Sequence, residues 1–449
     1  MKLTNLTLTN FRRFDHLEVT FDPSLTVIAA RNGRGKTSVL EAAGIALGPF
    51  VGGFDYGAWG TITPQDAHYR VVGDGPENEQ AFPVVIEARF VDPAIEAERA
   101  LTSGKHNAKP TRVGAKDLNQ YAKRLQEKVR EGEIVTLPVI CYYSSKRLWL
   151  MHRDSSRKSE ILDSRTAGYQ DCLSELSSFN QLHNWLRSAS LAVAQAHSSK
   201  SAGPYSGMEE RLRGISRAVD SVFEGEGWSG FRFDLVADKM VMSHPDHGEL
   251  PLAYLSDGVR AMATMVADLA QRCSQINGHL GADAAMQTPG IVLIDEVDLH
   301  LHPAWQQRIL SGLREAFPLV QFIVSTHSPQ VLSTVDSSQI RVVFENADGD
   351  WCAEAPTRQV LGRSSAEALG EVMGVNPTPS TEESRKVDAY TEMIELGEHD
   401  SAVGKQLYEE LQDIYGSHNP VMLRIDHQIR VQKIKERVAA PSPAPGSQE

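Results

Sequence analysis

Apolar and polar residues alternate over residues 3–9 and again over 16–21, and residues 25–29 form an apolar run. Alternation predicts half-buried strands, whereas an apolar run ahead of a glycine-rich turn predicts a parallel strand buried on both faces and feeding a helix. That helix is marked by Leu40, Ala43 and Leu47 on one face and is broken by Gly48, Pro49, Gly52 and Gly53. Further strands are expected at residues 82–91, 137–143, 231–242, 291–294 and 320–324. Helical spacing appears at 117–130, over most of 156–223, at 255–275, and from Pro303 through Ile309, Leu310, Leu313 and Phe317. Strand, helix, strand in this order points to an α/β core with a parallel sheet. After about residue 375 the pattern turns wholly helical. Its stripes are Val387, Tyr390 and Ile394, then Val403, Leu407, Leu411 and Ile414, then Met422, Ile425 and Ile429.

Composition narrows the class. The chain has 449 residues, 41% hydrophobic and 23% charged, as in a soluble globular protein. It has no apolar run of the roughly 18 residues a membrane helix needs, and its first residues lack a signal peptide's apolar core. Cys141, Cys172, Cys273 and Cys352 lie far apart, which suits a reducing compartment, so a cytoplasmic location is expected. A net charge of −13 excludes a bulk nucleic-acid coat. One basic stretch, residues 105–130, sets eight Lys and Arg against Asp117 and Glu127. It reads either as a solvated helix face or as a local nucleic-acid surface.

The chemistry begins at Ala30-Arg31-Asn32-Gly33-Arg34-Gly35-Lys36-Thr37, followed by Ser38, between the apolar run and the helix. Glycines let backbone N–H groups converge on phosphate oxygens at a helix N-terminus, so a phosphate-binding loop for a nucleoside triphosphate is expected. Lys36 is expected on the β- and γ-phosphates and Thr37 on Mg²⁺. The usual first glycine is Ala30, which is tolerable if that residue keeps a negative φ. Downstream, Ile291-Val292-Leu293-Ile294-Asp295-Glu296 ends a buried strand in two carboxylates, costly to bury unless bound to something. Asp295 fits a Mg²⁺ ligand and Glu296 a base that polarises water.

Leu255-Ser256-Asp257-Gly258-Val259-Arg260 opens a helix and resembles the LSGGQ-type signature of the ABC ATPases. That resemblance implies a composite site, in which Ser256, Asp257 and Gly258 of one subunit cap the γ-phosphate held by the other's loop. The segment from Val297 to Pro303 is similar to a D-loop. Ser325-Thr326-His327-Ser328-Pro329 resembles the switch-histidine motif, which makes His327 catalytic beside Glu296. Asn10-Phe11-Arg12-Arg13-Phe14 resembles a segment of RecF-like and SMC-like ATPases, where Arg12 and Arg13 would lie beside the nucleotide with Arg31, Asn32, Gly33, Arg34, Gly35 and Ser38. Lys36 and Ser256 are 220 residues apart, too few for the long coiled coils of SMC-like proteins.

Leu137-Pro138-Val139-Ile140-Cys141-Tyr142-Tyr143-Ser144-Ser145-Lys146-Arg147-Leu148-Trp149 is similar to a segment of the PtuA-like ATPases. It carries no glutamine where other ABC proteins have a magnesium ligand, and the nearest upstream candidate is Gln65. Segments 361–365, 371–375 and 416–430 also resemble that family. The resemblance implies an ATPase subunit of Septu-type or retron-linked antiphage systems. It would form an ATP-sandwiched homodimer or a higher oligomer and regulate a separate, PtuB-like HNH nuclease. Nucleic acid, or a retron's reverse transcriptase and DNA, extends the partner set; membrane does not.

The fold expected is α/β: an ABC-type ATPase head with a mixed, largely parallel sheet, an inserted helical lobe and a C-terminal all-helical extension. Residues 1–150 would form the first part of the head, 151–285 the helical lobe with the signature, and 286–350 the second part of the head. Residues 351–438 would form a helical partner or assembly region, with a disordered tail at 439–449. The alternatives are a RecF-like repair ATPase binding DNA through residues 105–130, and a nucleotide-gated scaffold with negligible turnover.

Overall fold

The computed structural model describes residues 1–71, 78–105, 108–146, 164–174, 179–199, 206–376 and 378–439. These form two compact units, Met1–Gly374 and Val375–Glu449. Arg147 and residues 440–449 of the expected tail lie outside the described residues; Ala439 closes the last helix.

In the first unit a six-stranded sheet runs in the order Trp351–Glu354, Ile340–Glu345, Leu25–Ala29, Val320–Thr326, Gly290–Ile294, Val139–Tyr143. All neighbours are parallel except the edge pair Ile340–Glu345 and Trp351–Glu354. Four of the strands are buried at every position, because helices or another sheet cover both faces. Register places Ala29 opposite Thr326, and Ile294 opposite both Val324 and Tyr143. The loops that leave these strand ends therefore meet on one edge, the usual place for ligand chemistry in parallel α/β sheets. Gly290 permits the close fit of two strands, since a Cβ there would sit 2.0 Å from the Val139 carbonyl oxygen.

A second, antiparallel sheet has the order Phe14–Thr20, Lys2–Phe11, Val84–Val91, Ile95–Leu101. The helix Lys36–Val51 packs on both sheets. Buried Gln321 joins them as well: its amide donates to the carbonyls of Leu3 and Asp22 (2.8 Å each) and accepts from the Leu3 N–H at 2.8 Å. All of its polar capacity inside the core is thereby used.

The inserted lobe contains the helices Phe179–Ser199, Ser206–Val222 and Asp257–Ile276 and a three-stranded sheet. The single strand expected at 231–242 is instead a hairpin of Ser229–Asp234 and Lys239–His244. Asp234 makes the turn by accepting from the N–H groups of Val236 and Ala237 (2.8 and 3.0 Å), and Asp238 takes φ 54°. The helix expected from Pro303 is likewise split, into Pro303–Gln306 and Ile309–Ala316. The edge strand Trp351–Glu354 lies within the stretch read as helical.

The Val375–Glu449 unit holds three helices, Glu382–Glu395, Ala402–Tyr415 and Pro420–Ala439. They enclose Val387, Tyr390, Ile394, Leu411, Met422 and Ile425, while Val403 and Ile414 of the expected stripes are exposed. Among the described residues no helix is long and apolar enough to cross a membrane.

One buried charge network underlies the site. Arg272 pairs with Asp268 at 2.9 Å, one turn apart on the helix Asp257–Ile276, and donates to the carbonyls of Gly168 and Gln170. Asp268 also accepts from the Tyr143 hydroxyl at 2.8 Å. Replacing Arg272 with Met strips a buried carboxylate of its guanidinium and is expected to cost ~3–5 kcal/mol. The double substitution Asp268→Leu with Arg272→Met should recover most of that loss in urea unfolding. Equal losses in the single and double variants would contradict this account.

Candidate functional site

The phosphate loop follows from backbone conformation. Gly33 (φ 71°) and Gly35 (φ 91°) take the left-handed region, while Ala30 keeps a negative φ that accommodates its methyl group. Gly35 is required twice over, because a Cβ there would lie 2.4 Å from the Phe14 ring. Lys36 begins the helix; its Nζ donates to the Ala30 carbonyl at 3.1 Å and lies 3.4 Å from Nδ1 of His327. Burial holds the Lys36 pKa below its ordinary value, against the opposing pull of Asp295, Glu296 and Asp298.

Asp295, 1% exposed, lies where the Gly290–Ile294 strand ends. It accepts from the Thr37 hydroxyl at 3.0 Å and from the Ser325 hydroxyl at 2.6 Å. Its own N–H donates to the Tyr143 carbonyl at 2.8 Å. Ser325 also accepts from the Glu296 N–H at 2.9 Å, and Glu296 adopts φ 50°, a conformation unfavourable for a side-chain-bearing residue and held here by its neighbours. Thr37 and Asp295 thus present adjacent hard oxygen donors, a set that suits Mg²⁺.

His327 follows Thr326, whose hydroxyl donates to Asp298 at 2.5 Å. Burial first, and then the Lys36 charge, lower the His327 pKa, while Asp298 and Asp295 oppose them. The ring is therefore held neutral.

Ser256 is the N-cap of its helix, accepting from the Val259 N–H at 3.4 Å, and Asp257 pairs with Arg260 at 2.6 Å. Gly258 is pressed against the D-loop segment, for a Cβ there would lie 2.3 Å from the His300 carbonyl oxygen. Ser256 and Asp257 are exposed. Among the described residues no hydrogen bond or ion pair joins residues 256–258 to loop 30–38 of the same chain.

The remaining loop residues have their own partners. Arg12 forms ion pairs with Glu41 and with Asp66 (2.9 Å), so its guanidinium braces the loop's helix to a neighbouring turn. Arg13 and Arg34 both lie over the Trp351 ring, at 4.6 and 5.6 Å, and Arg34 pairs with Glu345 at 2.9 Å. Arg31 donates to the carbonyls of Met373 and Gly374. Asn32 is exposed and Ser38 half-buried. Gln65 is exposed in the short turn Pro64–Asp66 beside Arg12. Trp351 and Glu345 are missed by motif reading, since they sit on an edge hairpin with no spacing relation to the loop. Ser325 lies within the switch-histidine segment, yet its hydroxyl's place under Asp295 is visible only in three dimensions.

Two family models match the chain: one described as "AAA domain, putative AbiEii toxin, Type IV TA system" over residues 158–333, and one described as "AAA domain" over 5–201. The retron Vc95 probable ATPase of Vibrio cholerae serotype O1 biovar El Tor is 25% identical over 91% of this chain and 86% of its own length. The retron Ec83 probable ATPase of Escherichia coli is 32% identical over 44% of this chain and 34% of its own. The Septu protein PtuA of Bacillus thuringiensis is 29% identical over 30% of this chain and 35% of its own. The chain is thus similar in sequence to retron-linked probable ATPases and, over a shorter stretch, to Septu protein PtuA. Among solved structures, an SMC head bound to the C-terminal winged-helix domain of ScpA aligns over 79% of this chain and 97% of its own, at 14% identity and TM-score 0.47. The strand order and the loops gathered on one sheet edge are those of an α/β head with a mixed, largely parallel sheet. Residues 137–149 carry no glutamine.

The lowered His327 pKa has a consequence for stability. Above pH 6.5 the ring is neutral in folded and unfolded chains alike; below it, the unfolded chain takes up the proton first. Stability that is complete above pH 6.5 is thus lost as the pH falls through the folded value. Thermal melts between about pH 5 and 8 should show a steeper loss below 6.5 in the wild type than in His327→Gln. Parallel curves would contradict this assignment.

Proposed function

We propose that the chain is the ATP-binding and hydrolysing subunit of an antiphage defence complex, working as an ATP-sandwiched homodimer that regulates a partner HNH nuclease in the cytoplasm. One observation carries the ATPase reading: Lys36, Thr37, Asp295, Ser325 and His327 converge on a single sheet edge, while Ser256 and Asp257 face outward. The names of the retron and Septu relatives support the defence setting.

In this reading the loop N–H groups and Lys36 hold the β- and γ-phosphates. Thr37 and Asp295 hold Mg²⁺, which supplies charge neutralisation at the phosphates when bound. Glu296 polarises a water whose oxygen bonds to the γ-phosphorus as the bond to the β–γ bridging oxygen breaks, leaving ADP and phosphate. Neutral His327 donates a hydrogen bond to a γ-phosphate oxygen, or accepts one from the attacking water, without adding charge. The partner subunit's signature helix completes the site through its N-terminal N–H groups and dipole. With no glutamine in residues 137–149, slow turnover is expected, which suits a regulator. The C-terminal helical unit, with Val403 and Ile414 exposed, is the proposed docking region for the nuclease or for a higher assembly. Retron DNA or reverse transcriptase belongs to the same proposed assembly.

The alternative of direct DNA binding through residues 105–130 has less support, because Lys128 and Arg130 already pair with Glu133 and Asp55. The test is Glu296→Gln with ATP. The variant should elute as a stable dimer or larger species while releasing phosphate at least tenfold more slowly than wild type. A monomer that binds ATP would remove the sandwich from the account.

A further inference from the structure

The contact that the ATPase chemistry leaves unused is made by Arg31, the second residue of the phosphate loop. Its Nε donates to the Met373 carbonyl at 3.1 Å and its Nη2 to the Gly374 carbonyl at 2.5 Å. Both carbonyls belong to the end of the helix Ser365–Met373, where the last oxygens lack partners within the helix and carry the negative end of its dipole. A guanidinium presenting two parallel donors suits that place. The helix is well defined at its other end by a reciprocal cap between Ser364 and Glu367, and it stops at Gly374 in the left-handed conformation (φ 58°). Gly374 is followed at once by Val375, the first residue of the C-terminal unit. A cavity of about 440 Å³ lies beside this contact, lined by Ala30, Arg31, Arg34, Glu345, Glu371 and Met373 among others. It gives the guanidinium room to move and gives water access to the helix end.

We propose that Arg31 is a nucleotide-operated latch: with the loop empty it fastens the end of the helix Ser365–Met373, and with a nucleoside triphosphate in the loop it turns to the phosphates and releases the segment leading into the C-terminal unit. This rests on the ATP-binding reading above. The direction follows from charge. Neutral carbonyls hold the guanidinium in the empty loop, whereas phosphate oxygens carry the opposite charge and can accept two parallel N–H bonds from it. Arg31 belongs to the loop itself, so it meets the incoming charge at once. The freed carbonyls then exchange a fixed donor for water, and the last helical turn frays.

Hydrogen exchange on the full-length chain, with and without a non-hydrolysable ATP analogue and Mg²⁺, tests the latch, with nucleotide binding followed calorimetrically in the same samples. In the wild type, amides of residues 371–376 should exchange roughly threefold to tenfold faster when nucleotide is bound. In Arg31→Ala they should be fast from the start and gain nothing from nucleotide. Binding without faster exchange in the wild type would overturn the latch and leave the ATP reading intact. Slow exchange in nucleotide-free Arg31→Ala would also overturn it, since the helix end would then not need the guanidinium. If the analogue fails to bind at all, the ATP reading falls and the latch falls with it.

Discussion

A carboxylate at the end of an apolar strand is stable only where hydrogen bonds or charge replace its lost water, and Asp295 sits in that position. Its two oxygens accept from Thr37 and Ser325, and its N–H is held by Tyr143. Those three partners come from the first turn of the loop helix and from the two strands flanking Gly290–Ile294. The carboxylate is thus the tie that fixes the loop against the sheet edge. Lys36 lies 3.4 Å from the His327 ring, burial keeps both pKa values low, and the Lys36 charge lowers that of His327 further. A buried cation, two carboxylates and a neutral imidazole form a site whose electrostatics favour a polyanion with a divalent ion.

From this tie two lines of mechanical connection leave the site. One passes from Tyr143 through Asp268 to Arg272, and so to the helix whose first residues are the signature. This network is wholly buried, so the signature helix is held rigidly relative to the strand that carries Asp295. The close fit of Gly258 to His300 adds a second point of contact on the same helix. The other line runs from Arg31 to the end of the helix Ser365–Met373 through two hydrogen bonds to neutral oxygens, one part-buried and one exposed. Rigid coupling suits the part proposed to meet a second subunit in fixed geometry. A breakable contact suits the part proposed to respond to nucleotide.

The parallel core was legible because its strands are apolar on both faces and each ends in a chemical motif, so periodicity and chemistry agreed at residues 25–37, 291–296 and 320–327. The loop, the carboxylate pair and His327 are local in sequence, and the sheet brings them together by register alone. The hairpin at 229–244 was not legible, because its turn is made by Asp234 and Asp238, which interrupt the alternation without a glycine or proline to announce it. Trp351, Glu345 and Gly374 carry no motif. Their nearness to the loop depends on an edge strand and a helix more than three hundred residues downstream of it, and only the folded chain reveals it. Arg12 illustrates the opposite case: its segment is recognisable, but its guanidinium is engaged by Glu41 and Asp66, partners that no local pattern announces.

The central claim is that each ATP site is built from two copies of the chain, with the loop from one and residues 256–258 from the other. Mixing two inactive variants tests it most directly: Lys36→Ala, which lacks the loop cation, and Ser256→Arg, which blocks the signature. Each variant alone should hydrolyse almost no ATP. In a mixed dimer one site carries both defects and the other carries neither, so phosphate release should recover to roughly a quarter of the wild-type rate at equal mixing. Mixtures as inactive as the separate variants, under conditions where mixed dimers are seen to form, would contradict the composite site.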